Sequence, residues 1–381
     1  MPSLKIILAT DAIRRPLTGI GRYAYELAKG LQSHPKVAEV KFLHRIRWHA
    51  HPDDIIDAPT TPTAAHSEPP IHPIIRTLGR AIIPPIKWLR CLPLKDHLYH
   101  SPNYALPAVP GRSISTIHDL SVIRHPEFHP KERVDHMNRL FPSILRRGDL
   151  FLTDSNFSRT EIIDYFKMEP DRVVAIPLGV DSGFKPQPHD QLKEVLATYG
   201  LCPQGYTLSV GTIEPRKNLE RLIEAYKTLP KTLRNDIPLV LVGFEGWNSE
   251  AIHQKIQEGQ KEGWLLYLSY VTEEDLPAIY AGAKVFICAS LYEGFGLPVL
   301  EAMASGAPVI TSGAASLKEV AGDAARFIDP YDLESIRSNI HELLEQGDER
   351  ESLRQKGLKR AAQFTWANTV NETISAYQRL V

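Results

Sequence analysis

The stretch Tyr292–Ile310, YEGFGLPVLEAMASGAPVI, sets two carboxylates, Glu293 and Glu301, eight positions apart with two glycines and a proline between them. Just before it, KVFICAS reads as an apolar strand, and LYEGFGL is the loop at its carboxyl end. Pro298 suits the first helical position, and the spacing predicts a helix through Glu301 to about Ser305, ended by Gly306. Gly294 and Gly296 let a ligand approach the backbone closely, and amides at a helix start favour an anion. A carboxylate in the same place repels phosphate. A hydroxyl-rich ligand resolves the conflict, because carboxylates accept from hydroxyls while the amides hold phosphate. Two acids acting only as caps would need neither the second acid nor the paired glycines.

Working outward, a chain of 381 residues is long enough for two cores. It is 43% apolar and 23% charged with a net charge of −1, which excludes a general nucleic-acid binder with its basic excess. The longest apolar runs, VVAIPLGV and VFICAS, are strand-length and far short of the roughly 20 residues of a membrane span. MPSLKIILATDA carries no signal-peptide cleavage region, and Cys91, Cys202 and Cys288 lack paired spacing, so a cytoplasmic location is expected. Twelve of the fifteen histidines precede residue 137. Neither His49/His51 nor His97/His100 has a carboxylate or cysteine at ligand spacing, and no metal site is expected.

Short apolar strands alternate with helical patterns along the whole chain, the mark of parallel sheets covered by helices. LKIILAT, SISTIHDL, LFLTDS and VVAIPLG form one set; YTLSVG, PLVLVG, LLYLSYV, KVFICAS and APVITS form another. Proline and polar residues break the pattern at residues 181–191. The expected architecture is α/β, with two doubly wound domains: residues 1–182 together with a returning final helix, 365–381, and residues 183–364. Ligands of such sheets sit at the carboxyl ends of strands where strand order reverses, so the interdomain cleft is the expected site. Residues 71–95 carry Arg76, Arg80, Lys87, Arg90 and Lys95 among Ile, Leu and Trp88, with no acid. Two readings stand: two helices on the core with a solvated basic edge, or a surface for anionic lipid or a lipid-linked acceptor.

The Glu-x7-Glu of EGFGLPVLE resembles the signature of the retaining, nucleotide-sugar-dependent glycosyltransferases of family 4, which have two facing Rossmann-like domains (the GT-B fold). TGIGRYAYEL, STIHDL, TDSNFSR, IPLGVD, VGTIEPRKNLERLIEA, YVTEEDLPAIYAGA and EGFGLPVLEAMASGAPVI follow the family's order over nearly the whole chain. TGIGRY and VGTIEPRKNL look most like bacterial mannosyl- and rhamnosyltransferases of O-antigen and exopolysaccharide synthesis.

The resemblance implies that Glu293 and the amides of Gly294, Phe295, Gly296 and Leu297 hold donor-sugar hydroxyls, and that Glu301 takes the ribose hydroxyls. Arg216 and Lys217 would neutralise the diphosphate, and cations at a helix start, against the dipole, suit an anionic ligand. Many relatives carry an arginine five residues before that lysine; here the position is Thr212, so Arg216 supplies the second charge. Gly19 and Gly21 form the loop after the first strand and would touch the diphosphate, or else serve only as a tight turn. A dinucleotide fingerprint is incomplete there, with Ala24 at its third position and His44 and Arg45 ending the second strand in place of an acid. His118 would stand beside the anomeric carbon, Asp119 would cap, and Tyr270 and Val271 would line the base pocket. Asn156 and Ser158 would cap a helix or else touch the acceptor.

The implied reaction moves a hexose from GDP-mannose or a GDP-deoxyhexose such as GDP-rhamnose to a hydroxyl of a lipid-linked oligosaccharide at the inner membrane face, with retention. It needs no metal and no cofactor beyond the nucleotide sugar. A UDP- or ADP-sugar donor, a nucleotide-sugar epimerase and a catalytically silent sugar-nucleotide-binding protein stay open; a pyridoxal phosphorylase would need a lysine motif that is not evident.

Overall fold

The computed structural model describes residues 3–56 and 83–381. The first sheet holds β1 (Leu4–Ala9), β2 (Val37–His44), β3 (Arg47–His49), β4 (Leu98–Ser101), β5 (Ser113–Thr116), β6 (Leu150–Thr153) and β7 (Val173–Ala175). Their order is β3-β2-β1-β4-β5-β6-β7, parallel except for β3, which returns antiparallel along β2. The second sheet holds β8 (Thr207–Val210), β9 (Leu239–Val242), β10 (Leu265–Leu268), β11 (Val285–Cys288), β12 (Val309–Ser312) and β13 (Ala325–Ile328), in the order β10-β9-β8-β11-β12-β13. All its pairings are parallel. Strands such as β6 (LFLT), β9 (LVLV) and β11 (VFIC) are buried at every residue, as a sheet sheathed by helices on both faces requires.

In each sheet the order reverses beside its first strand, between β1 and β4 and between β8 and β11. Loops leaving such neighbours diverge and open a crevice at their carboxyl ends. Helix Leu297–Ala304 follows β11 there, with Gly296 at its cap in a left-handed conformation (φ 118°) that suits glycine. Pro298 is its second residue, one later than expected.

The last helix, Trp366–Tyr377, lies on helix Gly19–Ser33 of the first sheet. A Cβ on Gly30 would come within 2.3 Å of Val370 Cγ2, so the glycine is what lets the two helices meet. Tyr377 reaches further, its hydroxyl 2.6 Å from His100 Nδ1 in the buried floor of that sheet. One hydrophobic cluster runs from Leu8 and Leu27 through Val370 and Tyr377 to Phe286 and Leu300, joining both halves.

Three local expectations change. Gly19 and Gly21 are not in a loop: they occupy the first turn of helix Gly19–Ser33, whose cap is Thr18, accepting from the Gly21 amide at 3.4 Å. Helix Asn156–Phe166 is capped by Ser155 and not by Asn156 or Ser158; its Oγ accepts from the Ser158 amide at 3.1 Å. In the basic stretch, residues 83–91 form a helix, while Arg76 and Arg80 lie outside the described residues. Lys87 belongs to no solvated edge. It is only 8% exposed and its Nζ meets Asp11 at 2.6 Å.

Candidate functional site

The second sheet's reversal brings together the loops after β8 and β11. The first carries Glu214, Arg216 and Lys217, the second Ser290 and Glu293. Lys217 Nζ meets Glu293 Oε1 at 2.6 Å, Arg216 Nη1 meets Oε2 at 2.8 Å, and Ser290 Oγ donates to Oε1 at 2.7 Å. Arg216 also grips Glu214 Oε1 at 2.8 Å and the Tyr292 carbonyl at 3.0 Å. All four charged side chains are largely buried, at 16% exposure or less. Burial pushes the Glu293 carboxyl up, but the Arg216 and Lys217 charges overcome it and hold it at about 2. Burial opposes the charge on Arg216 too, and Glu293 and Glu214 more than offset it, so the guanidinium stays protonated.

This geometry refines the expected division of labour. Arg216 has five N–H groups and spends most of them on Glu214, Glu293 and Tyr292. Lys217 spends one on Glu293. Lys217 is therefore the cation with donors to spare for an incoming anion, and Arg216 is chiefly the strut that fixes Glu293. Glu214 and Ser290, which complete the cluster, were not legible as site residues; Glu214 lies within the quoted VGTIEPRKNL, two positions from the arginine. Thr212 sits between β8 and this cluster, and a Cβ on Gly246 would come within 2.8 Å of its Cγ2.

Glu301 lies one turn into helix Leu297–Ala304, away from the cluster, and accepts from Tyr280 Oη at 2.8 Å. Burial lifts its carboxyl to about 7; Tyr280 and the Arg22 charge pull it down and Asp181 pushes it up. The glycine segment of the first half is tied to the second: the Leu17 amide and Arg22 Nη2 both meet Glu273, at 3.1 Å each. Gly19 lies against the same helix start, its side-chain direction 3.4 Å from Leu297 Cδ1.

Gly294 also has a role beside the one expected of its amide. A Cβ there would come within 2.4 Å of the His118 carbonyl, so the two halves touch through bare backbone. The Gly294 carbonyl accepts from Ser155 Oγ at 2.8 Å, another contact across the crevice. Phe295 is buried. His118 is buried with Nδ1 2.8 Å from Asp154 Oδ2 and Nε2 2.9 Å from the Pro102 carbonyl. Burial lowers its basicity, but the Asp154 charge outweighs this and the net shift is upward. Both nitrogens are thus committed, and the ring hydrogen bond expected toward a donor sugar is closed in this conformation. Asp119, as expected, caps locally, accepting from the Ser121 amide at 3.0 Å.

Tyr270 is 53% exposed and tilts against Phe244 at 5.7 Å between centroids, while Val271 is buried. Phe244, Glu245, His253, Gln257 and Tyr270 line a cavity of about 430 Å³ beyond the carboxyl ends of β9 and β10. Tyr270 by this cavity, Glu301 by the glycine segment, and the cluster of Lys217 and Glu293 at the strand-order reversal therefore all lie on the carboxyl side of the second sheet, while His118, Gly19 and Gly21 face them from the first half.

Residues 17–184 match the family model described as Glycosyltransferase Family 4, and residues 203–360 match Glycosyl transferases group 1. The chain is 40% identical to the O-antigen chain mannosyltransferase B of Escherichia coli over 99% of its own length and 100% of that protein. It is 33% identical to the serotype-specific mannosyltransferase WbdA of Escherichia coli over 74% of this chain and 36% of that one. Among solved structures, a sucrose-phosphate synthase from Thermosynechococcus elongatus superposes with a TM-score of 0.74 at 21% identity, covering 99% of both chains. WaaG, a glycosyltransferase involved in lipopolysaccharide biosynthesis, superposes at 0.71 and 17% identity, covering 97% of this chain and 98% of that one. With two parallel-sheet domains meeting at a crevice and a full-length relative of this similarity, the chain belongs to the family 4 glycosyltransferases of GT-B fold.

Proposed function

We propose that this enzyme transfers mannose from GDP-mannose, with retention, to a hydroxyl of a lipid-linked oligosaccharide in O-antigen synthesis. The observation that carries this reading is the buried Lys217–Glu293–Arg216 cluster at the strand-order reversal. It offers a cation for a diphosphate and a fixed carboxylate for sugar hydroxyls within one rim. The 40% identity to an O-antigen chain mannosyltransferase over its full length supports the choice of sugar and pathway.

In this reading the diphosphate lies against Lys217 and the amides of Gly294–Leu297, Glu301 takes the ribose hydroxyls, and the base lies beside Phe244 and Tyr270. Departure of the nucleotide builds negative charge on the β-phosphate, which Lys217 and the helix-start amides stabilise. The acceptor hydroxyl attacks from the face the nucleotide leaves, and the leaving phosphate oxygen takes its proton. Glu293 is a poor covalent nucleophile here, because Arg216, Lys217 and Ser290 occupy its oxygens. The fixed cations supply the charge a divalent ion would otherwise bring, and turnover should survive EDTA.

Among the described residues no helix is long and apolar enough to cross a membrane. Access to a lipid-linked acceptor would come by peripheral binding at the inner membrane face. The helix over residues 83–91 and the turn after it expose Trp88, Leu89 and Leu92 beside Arg90 and Lys95. Reversing Arg76, Arg80, Arg90 and Lys95 to glutamate should abolish sedimentation with anionic vesicles and spare transfer to a water-soluble acceptor; unchanged sedimentation removes the membrane proposal.

The test of the whole reading is to incubate the enzyme with GDP-, UDP- and ADP-mannose, with and without octyl α-mannobioside, and to read the product linkage by NMR. An α-linked trisaccharide from GDP-mannose alone is expected. Isomerised donor without acceptor would establish an epimerase, and no product from any donor would end the transferase reading.

A further inference from the structure

One buried histidine in the crevice has no task in the scheme above. His129 follows the short turn Pro126–Phe128 of the first half and is 6% exposed. Its Nε2 lies 3.1 Å from Ser121 Oγ, and that hydroxyl lies 2.8 Å from Asp119 Oδ1. A carboxylate only accepts, so the serine gives its proton to Asp119 and its oxygen accepts from His129 Nε2–H. The tautomer is thereby fixed, and Nδ1 is left as an acceptor. Nδ1 is buried and has no hydrogen-bond partner.

The ring stands on the crevice wall. Trp247 of the second half packs against it at 5.7 Å between centroids, and that indole donates to the Phe128 carbonyl at 2.6 Å. The charged groups around the ring are Arg133 and Asp119 from its own half and Glu214 and Arg216 from the other. Burial first, then Arg133, lower its basicity, which keeps the ring neutral. Across from it, Glu214 Oε2 is likewise buried without a partner. Two orphaned acceptors, one on each wall, leave a demand for donors that a polyol meets, since each sugar hydroxyl carries one proton to give. An unmet buried acceptor is costly, so its persistence points to a ligand.

We propose that His129 Nδ1 accepts a hydrogen bond from a hydroxyl of the acceptor saccharide, with Ser121 and Asp119 as the positioning residues that hold its tautomer. The assignment to acceptor rests on the transferase reading above: the donor occupies the loops after β8 and β11, so a group on the opposing wall meets the other substrate.

The experiment measures acceptor KM with octyl α-mannobioside and, separately, GDP-mannose affinity by calorimetry, for wild type, His129→Phe, His129→Asn and Ser121→Ala. His129→Phe should raise acceptor KM about tenfold or more, the loss expected for one buried hydrogen bond, with GDP-mannose affinity within about twofold of wild type. His129→Asn, whose amide oxygen can replace Nδ1, should recover most of that loss. The wild-type acceptor KM should rise only below the ordinary histidine range, and that acid limb should vanish in His129→Asn. An unchanged acceptor KM in a folded His129→Phe overturns the proposal, as does donor affinity falling in step with acceptor KM. Should His129→Phe not fold, Ser121→Ala carries the test: releasing the ring must raise acceptor KM, and no rise refutes the assignment. A wild type that binds GDP-mannose but glycosylates no saccharide ends both the transferase reading and this one.

Discussion

Replacing Glu293 with glutamine keeps the shape but removes the counter-charge of two buried cations and turns one of its two accepting oxygens into a donor. Two routes give the size of the effect. The carboxyl sits at about 2 against an ordinary 4.5, which corresponds to about 3 kcal/mol in favour of the ionised, folded form. Removing one partner of a buried ion pair independently costs about 3–5 kcal/mol. With Glu293 8% exposed, solvent screening takes little from either figure. For a domain of this size about 3 kcal/mol lowers Tm by about 6–12 °C. The pH dependence has a definite sign: the folded pKa is depressed, so the stabilisation is complete above about 4.5 and is lost as pH falls toward about 2. The difference between wild type and Glu293→Gln should therefore be constant from pH 6 to 8, read by urea unfolding of the unliganded proteins. Free GDP should bind the variant at least as well as wild type, because Lys217 and Arg216 no longer have Glu293 as a competitor, while turnover collapses. A loss below about 1 kcal/mol, or GDP affinity falling with turnover, would show that Glu293 does not organise the cations as described.

Glu301, lifted to about 7 by burial, has the opposite sign: its burial costs stability as pH rises from about 4.5 through 7, so Glu301→Gln should flatten the fall in Tm of the unliganded enzyme over that range. Wild type should gain donor affinity as pH rises through about 7; the same variant should erase that gain and weaken GDP-mannose about tenfold or more at pH 8, and isothermal titration across pH decides it. Gly294→Ala should hold the halves apart, because its Cβ would stand 2.4 Å from the His118 carbonyl; a larger radius of gyration by X-ray scattering with lost transfer is expected, and wild-type values for both would refute the contact. Gly30→Val should undock the last helix from Gly19–Ser33 and lower Tm, since even a Cβ meets Val370 at 2.3 Å; an unchanged Tm would deny that packing its weight.

Much of the fold was legible because parallel strands buried on both faces are written as apolar runs, as in LFLT, LVLV and VFIC. The strand β4, LYHS, was not, since two of its four residues are polar and proline-rich sequence surrounds it. Its histidine is satisfied only by Thr116 and by Tyr377 at the far end of the chain, a partnership that local pattern does not encode. Gly19 and Gly21 read as a loop because glycine disfavours helices; the deciding signal was Thr18, a good cap immediately before them. At the site, residue types were readable and pairings were not. Lys217 and Glu293 lie 76 positions apart, so only the folded sheet reveals that the acid and the cation bind each other. For the same reason His118 looked available for substrate until Asp154 and Pro102 were seen on its two nitrogens.

The most direct test of the central claim is a crystal structure of the enzyme with GDP-mannose. The diphosphate should lie within hydrogen-bonding distance of Lys217 Nζ and the amides of 294–297, with ribose hydroxyls on Glu301 and mannose hydroxyls on Glu293. Density for the nucleotide away from the loops that follow β8 and β11, or a diphosphate with no contact to Lys217, would contradict it.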